Sequence, residues 1–406
     1  MNNVLIVTPQ NILPPGDGGK LCMYSRIVAL YNENNKIYLA MGNTNVDVDN
    51  VYPDIMRYVS DYVVLPRASV EMKKADFIAC FFEIARWFLS GKPRQAHTLH
   101  SNENRKKLME FVKEKKINVI VLETIFSGEL LDLELCKKEN IRLVLVEHNV
   151  EYKFIKDCLF NMKIPVSIES RRMKKYERSI LKKADLVVAL SPKDAEILKK
   201  DFQINKLKYL PTTLSASTLV WNNTNSDYIL FAGSLKFPPN YYSIIWFLKN
   251  VWTEFTKSHP NLKLKITGAN TKKIRNEIYC YPNVIFTGFL DEYEFNSLKV
   301  NALFEIIPII IGSGIKIKLL EALSIGIPVI ATKHCYEGVP YKTDNAPYYV
   351  ADNDADFLKA MEIFATNNDV RLEYSHNGKV FYNAIYASAE NKKNWIDLLE
   401  AQRAEE

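Results

Sequence analysis

Short apolar, β-rich runs alternate with helical stretches along the whole chain. In the first half, Val4–Thr8, Lys36–Met41, Tyr62–Leu65, Val119–Glu123, Arg142–Glu147 and Leu186–Leu190 read as strands. Most are continuous apolar runs and not alternating ones, the pattern of strands covered on both faces in a parallel sheet. Helical spacing fills the intervals at Leu21–Asn32, Asn104–Lys115 and Ser170–Ala184. This βαβα rhythm predicts a doubly wound α/β sheet. It stops at Pro211, after which Thr212 to Ser226 is rich in Thr, Ser and Asn and carries no charge, as an interdomain connection does. A second series follows at Tyr228–Phe231, Lys263–Thr267, Val284–Thr287, Ala302–Ile307, Pro328–Thr332 and Tyr348–Val350. The expected architecture is therefore two Rossmann-like domains, residues 1–211 and 228–376, joined by a linker at 212–227. The stretch from about 377 to 406 reads as helix and is a candidate to pack back onto the first domain. Ligands of such sheets bind beyond the carboxyl ends of the strands. Two such edges facing each other would make an interdomain cleft.

Composition narrows the class. Of 406 residues, 48% are hydrophobic and 25% charged, which excludes a mainly disordered chain, a collagen-like fibre and a coiled coil. A formal charge of +6 from 53 basic and 47 acidic groups is too mild for a dedicated nucleic-acid binder. The start, Met1-Asn2-Asn3 followed by Val4-Leu5-Ile6-Val7, lacks the basic region and cleavage site of a secretory signal. No apolar run reaches the roughly 18 residues needed to span a bilayer. The six cysteines lie far apart without metal-ligand spacing, as expected of reduced thiols in the cytosol.

Four segments carry chemistry. The most informative runs from Gly312-Ser313-Gly314-Ile315-Lys316-Ile317-Lys318 through Glu321 to Gly326 and Pro328. A glycine turn follows a strand and opens a helix at about residues 315–324, so free N–H groups, positive potential and two lysines meet at one point. Together they predict a diphosphate cradle. Glu321, three residues after Lys318, is either half of an exposed ion pair or an acceptor for ribose hydroxyls. The third glycine of a dinucleotide fingerprint would fall on Ile317, and no Walker-type Gly-Lys-Ser/Thr is present, so dehydrogenase and P-loop readings are poor. Gly16-Asp17-Gly18-Gly19 forms a second glycine turn before a helix. His148-Asn149-Val150-Glu151 follows a strand, where α/β sites gather polar groups. Either His148 faces a sugar or a leaving phosphate, or it caps a local carbonyl. Gly233-Ser234-Leu235-Lys236 closes the first strand of the second series, and Lys236 is either a phosphate ligand or a solvated lysine.

In this order the segments resemble the retaining GT-B glycosyltransferases, in the large group of bacterial polysaccharide and lipid glycosyltransferases (glycosyltransferase family 4-like). The Gly312–Ala322 stretch resembles that group's donor-site turn and helix, and Val284–Phe289 the strand and loop that meet the nucleotide base. Gly18-Gly19 and His148–Glu151 resemble its acceptor-domain motifs. The resemblance implies that Glu321 holds the donor ribose. Lys316 or Lys318, with backbone around Gly312, Ser313, Gly314 and Ile315, neutralises the diphosphate. It also implies that Gly18, Gly19, Ser234, Lys236, Gly288 and Phe289 complete the donor site, that His148 contacts the transferred sugar or departing phosphate, and that Asn149 and Glu151 face the acceptor. The group uses no metal or cofactor, only the nucleotide diphosphate sugar as co-substrate. Two positions depart from its pattern. Ser313 stands where a first glutamate is common, and the Arg and Lys of the second domain's first loop fall on Ser234 and Pro239.

These departures keep two alternatives open: a non-catalytic GT-B subunit that binds a glycan or partner, and a sugar-nucleotide 2-epimerase. A metal-dependent transferase with Asp-x-Asp is disfavoured, because Asp352-Asn353-Asp354 comes after both series and reads as a helix cap. The expected function is transfer of a hexose-type sugar to a glycan or lipid-linked glycan in cell-surface polysaccharide or glycoconjugate synthesis. Between Lys153 and Lys183 stand ten basic and three acidic residues, and Phe77–Leu89 is unusually aromatic. The first is either a solvated face or a lipid-head-group contact, the second a core helix or a membrane-resting one. They raise the expectation of a peripheral contact with the inner face of the plasma membrane.

Overall fold

A computed structural model describes residues 2–67, 77–158, 166–223, 226–312, 314–336, 338–340, 345–351 and 353–400. They form two compact units. The first comprises the chain up to Leu214 together with the segment from Ala389, and the second runs from Ser215 to Ser388.

The first unit is built on β1 (Asn2–Thr8), β2 (Asn35–Met41), β3 (Asp61–Val64), β4 (Val119–Glu123), β5 (Arg142–Glu147), β6 (Leu186–Ala189) and β7 (Leu207–Tyr209). They pair in parallel in the order β3-β2-β1-β4-β5-β6-β7. Val4 to Val7 and Leu143 to Val146 are fully buried, which explains the unbroken apolar runs: helices cover both faces. β7 was not expected. It is a three-residue edge strand with no fully buried position, so it lacks the apolar run that marks the others. Chain order reverses between β1 and β4, the place where doubly wound sheets open a crevice. The helices used below are α1 (Gly18–Leu30), α2 (Phe77–Ser90), α3 (Glu151–Cys158) and α4 (Val166–Leu181).

In the second unit β8 (Tyr228–Ala232), β9 (Lys263–Thr267), β10 (Val284–Gly288), β11 (Glu305–Ile307), β12 (Val329–Thr332) and β13 (Tyr349–Ala351) pair in parallel as β10-β9-β8-β11-β12-β13. The reversal here lies between β8 and β11. β11 starts at Glu305, three residues later than the apolar run suggests, because Ala302 is still held by the turn bond to Lys299 O. Helices α5 (Ile317–Ile325) and α6 (Asn368–Ile385) pack together in this unit. Asn353 caps the helix Asp354–Thr366 through a bond from Asp356 N (2.9 Å), the capping role read from the sequence.

The expected single C-terminal helix is two. α6 stays in the second unit, where Tyr382 Oη donates to Ser215 O (2.7 Å). α7 (Ala389–Glu400) belongs to the first. Trp395 Nε1 donates to Pro211 O (2.8 Å), Arg142 Nη1 donates to Leu399 O (3.0 Å), and Trp395 is 1% exposed. Cys22, Cys136 and Cys335 are buried cysteines outside any disulfide among the described residues, and Cys280 is exposed. Among the described residues no helix is long and apolar enough to cross a membrane.

Candidate active site

The second unit gathers its candidate groups beyond the carboxyl ends of β8 and β11. Gly312 and Gly314 hold φ of 99° and 74°, the left-handed region that glycine enters without strain. Ser313 between them lies outside the described residues. α5 begins at Ile317, later than the sequence suggests, because Lys316 is its N-cap residue in extended geometry. Most caps in this protein are Asp, Ser, Asn or Thr whose side chain accepts from the first turn, but Lys316 supplies no such acceptor. Among the described residues no acceptor meets the first N–H groups of α5, at Ile317 and Lys318, which are the groups a helix start leaves open.

The two lysines are placed differently. Lys318 Nζ donates to Asn240 Oδ1 (2.7 Å) and stands 4.8 Å above the Phe231 ring. Burial pushes its ammonium down to about 8. A side chain on residue 233 would put its Cβ 2.7 Å from both Lys318 Nζ and Asn240 Nδ2, so Gly233 is what lets these groups lie against the end of β8. Lys316 Nζ instead turns back onto its own loop, donating to Gly314 O (3.0 Å) and Gly312 O (3.3 Å). His334 Nε2 also donates to Gly312 O. The backbone of Ile315 joins this loop to the cap.

The Lys318–Glu321 pair weighed from the sequence does not form. Glu321 Oε2 accepts from Lys299 Nζ (3.2 Å), with the lysine side chain 2% and the glutamate side chain 38% exposed. Beside them Glu305, fully buried on β11, has no hydrogen bond to either carboxylate oxygen. Burial pushes its carboxyl up to about 7 against the pull of Lys299. Ser234 is spent locally: its Oγ donates to Ala269 O and accepts from Lys236 N, both at 3.3 Å. Lys236 is exposed. Gly288 ends β10 with φ 77°, and the next ring, Phe289, is 90% exposed. The structure thus brings Lys316, Lys318, Gly312 and Gly314 together with Ser234, while Gly288 and Phe289 follow a strand two places from β8.

In the first unit the groups meet at the β1/β4 reversal. α1 opens on Gly18, with Gly19 in its first turn, but Asp17 Oδ1 already accepts from Lys20 N (3.0 Å). A carboxylate at that mouth favours a sugar hydroxyl over a second anion. His148 does not cap a carbonyl. Its Nε2 donates to Glu123 Oε2 (2.6 Å), and Glu123 Oε1 accepts from Arg26 Nε (2.5 Å). Burial alone would raise the Glu123 carboxyl, but Arg26 and then His148 overturn this and hold it below the usual carboxylate range. Trp395 of α7 lies 4.0 Å beneath the Arg26 guanidinium. The imidazole is therefore fixed at Nε2, leaving Nδ1 as its second functional position.

Asn149 and Glu151 are less available than expected. Asn149 Nδ2 donates weakly to Glu151 Oε1 (3.4 Å), and Glu151 is 6% exposed, with its carboxyl pushed up to about 7 by burial. Glu177 accepts from Glu151 N (2.8 Å) and Tyr152 N (3.2 Å), so it caps α3 from inside. Glu147, with both oxygens unbonded, is raised well above its ordinary value by burial and by Glu177. This acidic interior belongs to the core beneath α3. Among the described residues no group of three or more His, Cys, Asp or Glu is placed to hold a metal ion.

Sequence reasoning missed Arg26, Glu123, Asn240, Lys299, Glu305 and His334. Three had a visible signal. Arg26 interrupts the apolar stripe of α1, Glu123 ends a wholly apolar strand, and Glu305 sits inside one.

Two family models divide the chain: Glycosyltransferase Family 4 matches residues 62–213, and Glycosyl transferases group 1 matches residues 226–367. The chain belongs to the GT-B glycosyltransferases. As a GT-B protein it shares its fold with TarM (TM-score 0.73, 11% identity, 99% of both chains). It is also similar to sucrose-phosphate synthase from Thermosynechococcus elongatus (TM-score 0.69, 12% identity, 98% of both chains). Anabaena HepE, in complex with UDP and glucose, superposes with a TM-score of 0.65 at 11% identity over 99% of this chain and 100% of its own. An uncharacterized 44.6 kDa protein in the cps region of Klebsiella pneumoniae is 23% identical over 304 residues, 70% of this glycosyltransferase and 75% of that relative.

Proposed function

We propose that this glycosyltransferase moves a hexose-type sugar, with anomeric retention, from a nucleotide diphosphate sugar to a hydroxyl of a glycan or lipid-linked glycan. The setting is synthesis of cell-surface polysaccharide or glycoconjugate, on the cytoplasmic side of the membrane. The observation that carries the reading is the uncapped N-terminus of α5, at the β8/β11 reversal, with Lys316 and Lys318 beside it. The leaving diphosphate gains negative charge as the bond from the sugar C1 breaks, and preorganised N–H groups and ammoniums stabilise that charge. Lys316 and Lys318 would exchange loop carbonyls and Asn240 for phosphate oxygens. Glu321 would take the ribose hydroxyls, held at one oxygen by Lys299. The acceptor oxygen bonds to C1 on the face the diphosphate leaves, and its proton passes to a phosphate oxygen. His148, fixed by Glu123, would steady the sugar. No metal or cofactor enters the scheme. The cps-region relative supports the polysaccharide setting.

Incubation with UDP-, GDP- and dTDP-sugars, with nucleotide release followed over time, tests the proposal. Release that disappears in Glu321→Ala supports it. Nucleotide binding without release, with or without acceptors, points to the non-catalytic subunit instead, and interconversion of epimers to an epimerase. A thermal-shift panel of nucleotide diphosphates identifies the base, since a ligand at 100-fold over its Kd adds about 2.7 kcal/mol.

A further inference from the structure

The first unit holds a pocket of about 480 Å³ that the residues above do not use. It lies between the end of α2, the turn Ile125–Leu130 after β4, and α4. Its walls carry Lys92, Arg105, Arg172, Lys175 and Lys183 against three carboxylates. Each carboxylate is already engaged. Glu129 accepts from Lys92 Nζ (2.8 Å) and His100 Nδ1 (3.0 Å) and lies 3.7 Å from Arg105. Glu134 lies 3.1 Å from Lys183, and Asp132 caps the following helix through Leu135 N (3.0 Å). Among the described residues Arg172 and Lys175 have no carboxylate partner.

Arg172 is also rigidly placed. Its guanidinium stacks 5.0 Å from the Trp87 ring and 4.8 Å from Phe88, and Nη2 donates to Phe88 O (3.0 Å). Its Nη1, like Arg105 Nε, has no acceptor. A fixed planar donor with spare N–H groups, beside an uncompensated ammonium, is the chemistry that recognises a phosphate. Immediately next to it, α2 presents Phe88 and Leu89 at 59% and 84% exposure. Large apolar side chains bordering a cationic pocket suit an anionic group carried on an apolar chain.

We propose that this pocket binds the phosphate or diphosphate of an amphiphile, with Arg172 and Lys175 on the oxygens and the chain over Phe88 and Leu89. Its use as the anchor of a lipid-linked acceptor rests on the transferase reading, but the binding itself does not.

Isothermal titration with farnesyl diphosphate, farnesol and inorganic pyrophosphate tests it. Farnesyl diphosphate is expected to bind the Lys318→Gln protein, in which the α5 site is weakened, with affinity at least tenfold lower when Lys175→Glu or Arg172→Gln is added. Farnesol is expected to bind at least tenfold more weakly. Lys175 is exposed, so its charge reversal leaves the fold intact even where Arg172→Gln loosens α2. Pyrophosphate bound as tightly, and lost in Lys175→Glu, supports the phosphate site and assigns it to free phosphates. Binding that survives both pocket substitutions, or that vanishes only in Lys318→Gln, overturns the proposal. The nucleotide thermal shift of Lys318→Gln reports on the donor reading separately.

Discussion

Replacing Lys299 by Met probes the charge arrangement behind α5. The ammonium is almost wholly buried, 3.2 Å from Glu321 and 5.2 Å from the Phe295 ring. Burial disfavours its charge, but Glu321 and then Glu305 overcome that and hold it above the ordinary lysine value. Removing one member of a fully buried pair costs about 3–5 kcal/mol, because the partner charge is stranded. Two features reduce that figure. Glu321 is 38% exposed and regains water, and Glu305 escapes by taking a proton. The expected cost is therefore about 2 kcal/mol, or roughly 4–8 °C in the melting of a unit of this size.

The escape of Glu305 carries a pH signature. Its folded carboxyl already stands at about 7 against an ordinary 4.5, and loss of Lys299 raises it further. A carboxyl raised on folding adds stability below its unfolded value, and that contribution is lost as pH rises towards the folded one. The penalty of Lys299→Met should accordingly be greater at pH 8.5 than at pH 6. Adding Glu305→Leu should recover most of it, since it removes the buried carboxyl that loses its compensating cation. Scanning calorimetry of the single and double variants at both pH values decides the matter. A double variant as unstable as the single, or a single variant within 0.5 kcal/mol of wild type, would refute the reasoning.

Three other outcomes are expected. Nucleotide diphosphate affinity should weaken as pH rises through 8, because burial pushes the Lys318 ammonium down to about 8 and the neutral amine loses its pull; Lys318→Arg should flatten the titration-calorimetry profile between pH 7 and 9.5. Glu147→Gln should leave stability at pH 5 nearly unchanged and raise it at pH 8, since the buried carboxyl stays protonated in the fold while the unfolded chain releases the proton, and an equal slope in both proteins would sink this account. Trp395→Ala should cost about 3–5 kcal/mol, because it empties the space under Arg26 and cuts the bond to Pro211 O, and urea unfolding should show the loss.

The sheets were legible because both their faces are covered. Segments such as Val4–Val7 and Leu143–Val146 are apolar at every position, and no helix of this fold needs that pattern. The half-exposed β7 has no such run. The break between α6 and α7 carries no Gly or Pro and coincides with the chain's passage from one unit to the other, so nothing local announces it. At the site, the glycine turn and the helix behind it were legible because backbone geometry imposes them. The destinations of the ammoniums were not. Lys318 finds Asn240 across 78 positions, and Glu321 finds Lys299 across 22. Such partners are chosen by the stacking of β8, β11 and α5, which local sequence does not encode.

The resting partners of the two lysines bear on how an anion site stays ready. Cations clustered for a diphosphate repel one another when no ligand is bound, and strong ion pairs would hold them at the expense of binding. Lys318 donates instead to a neutral carboxamide, that of Asn240, and Lys316 donates to two loop carbonyls. A neutral acceptor contributes about half what a charged one does, so exchanging the Asn240 carboxamide for a phosphate oxygen would be favourable at Lys318. The carboxylates nearby are kept from interfering: Glu321 is occupied by Lys299, and Glu305 is held close to neutrality by burial. Had Glu321 paired with Lys318, as the spacing in α5 allows, a ligand would have to break a charged contact before making one. Lys299 prevents this by taking Glu321 Oε2 itself, so under the proposed reading it would serve the diphosphate as much as the ribose.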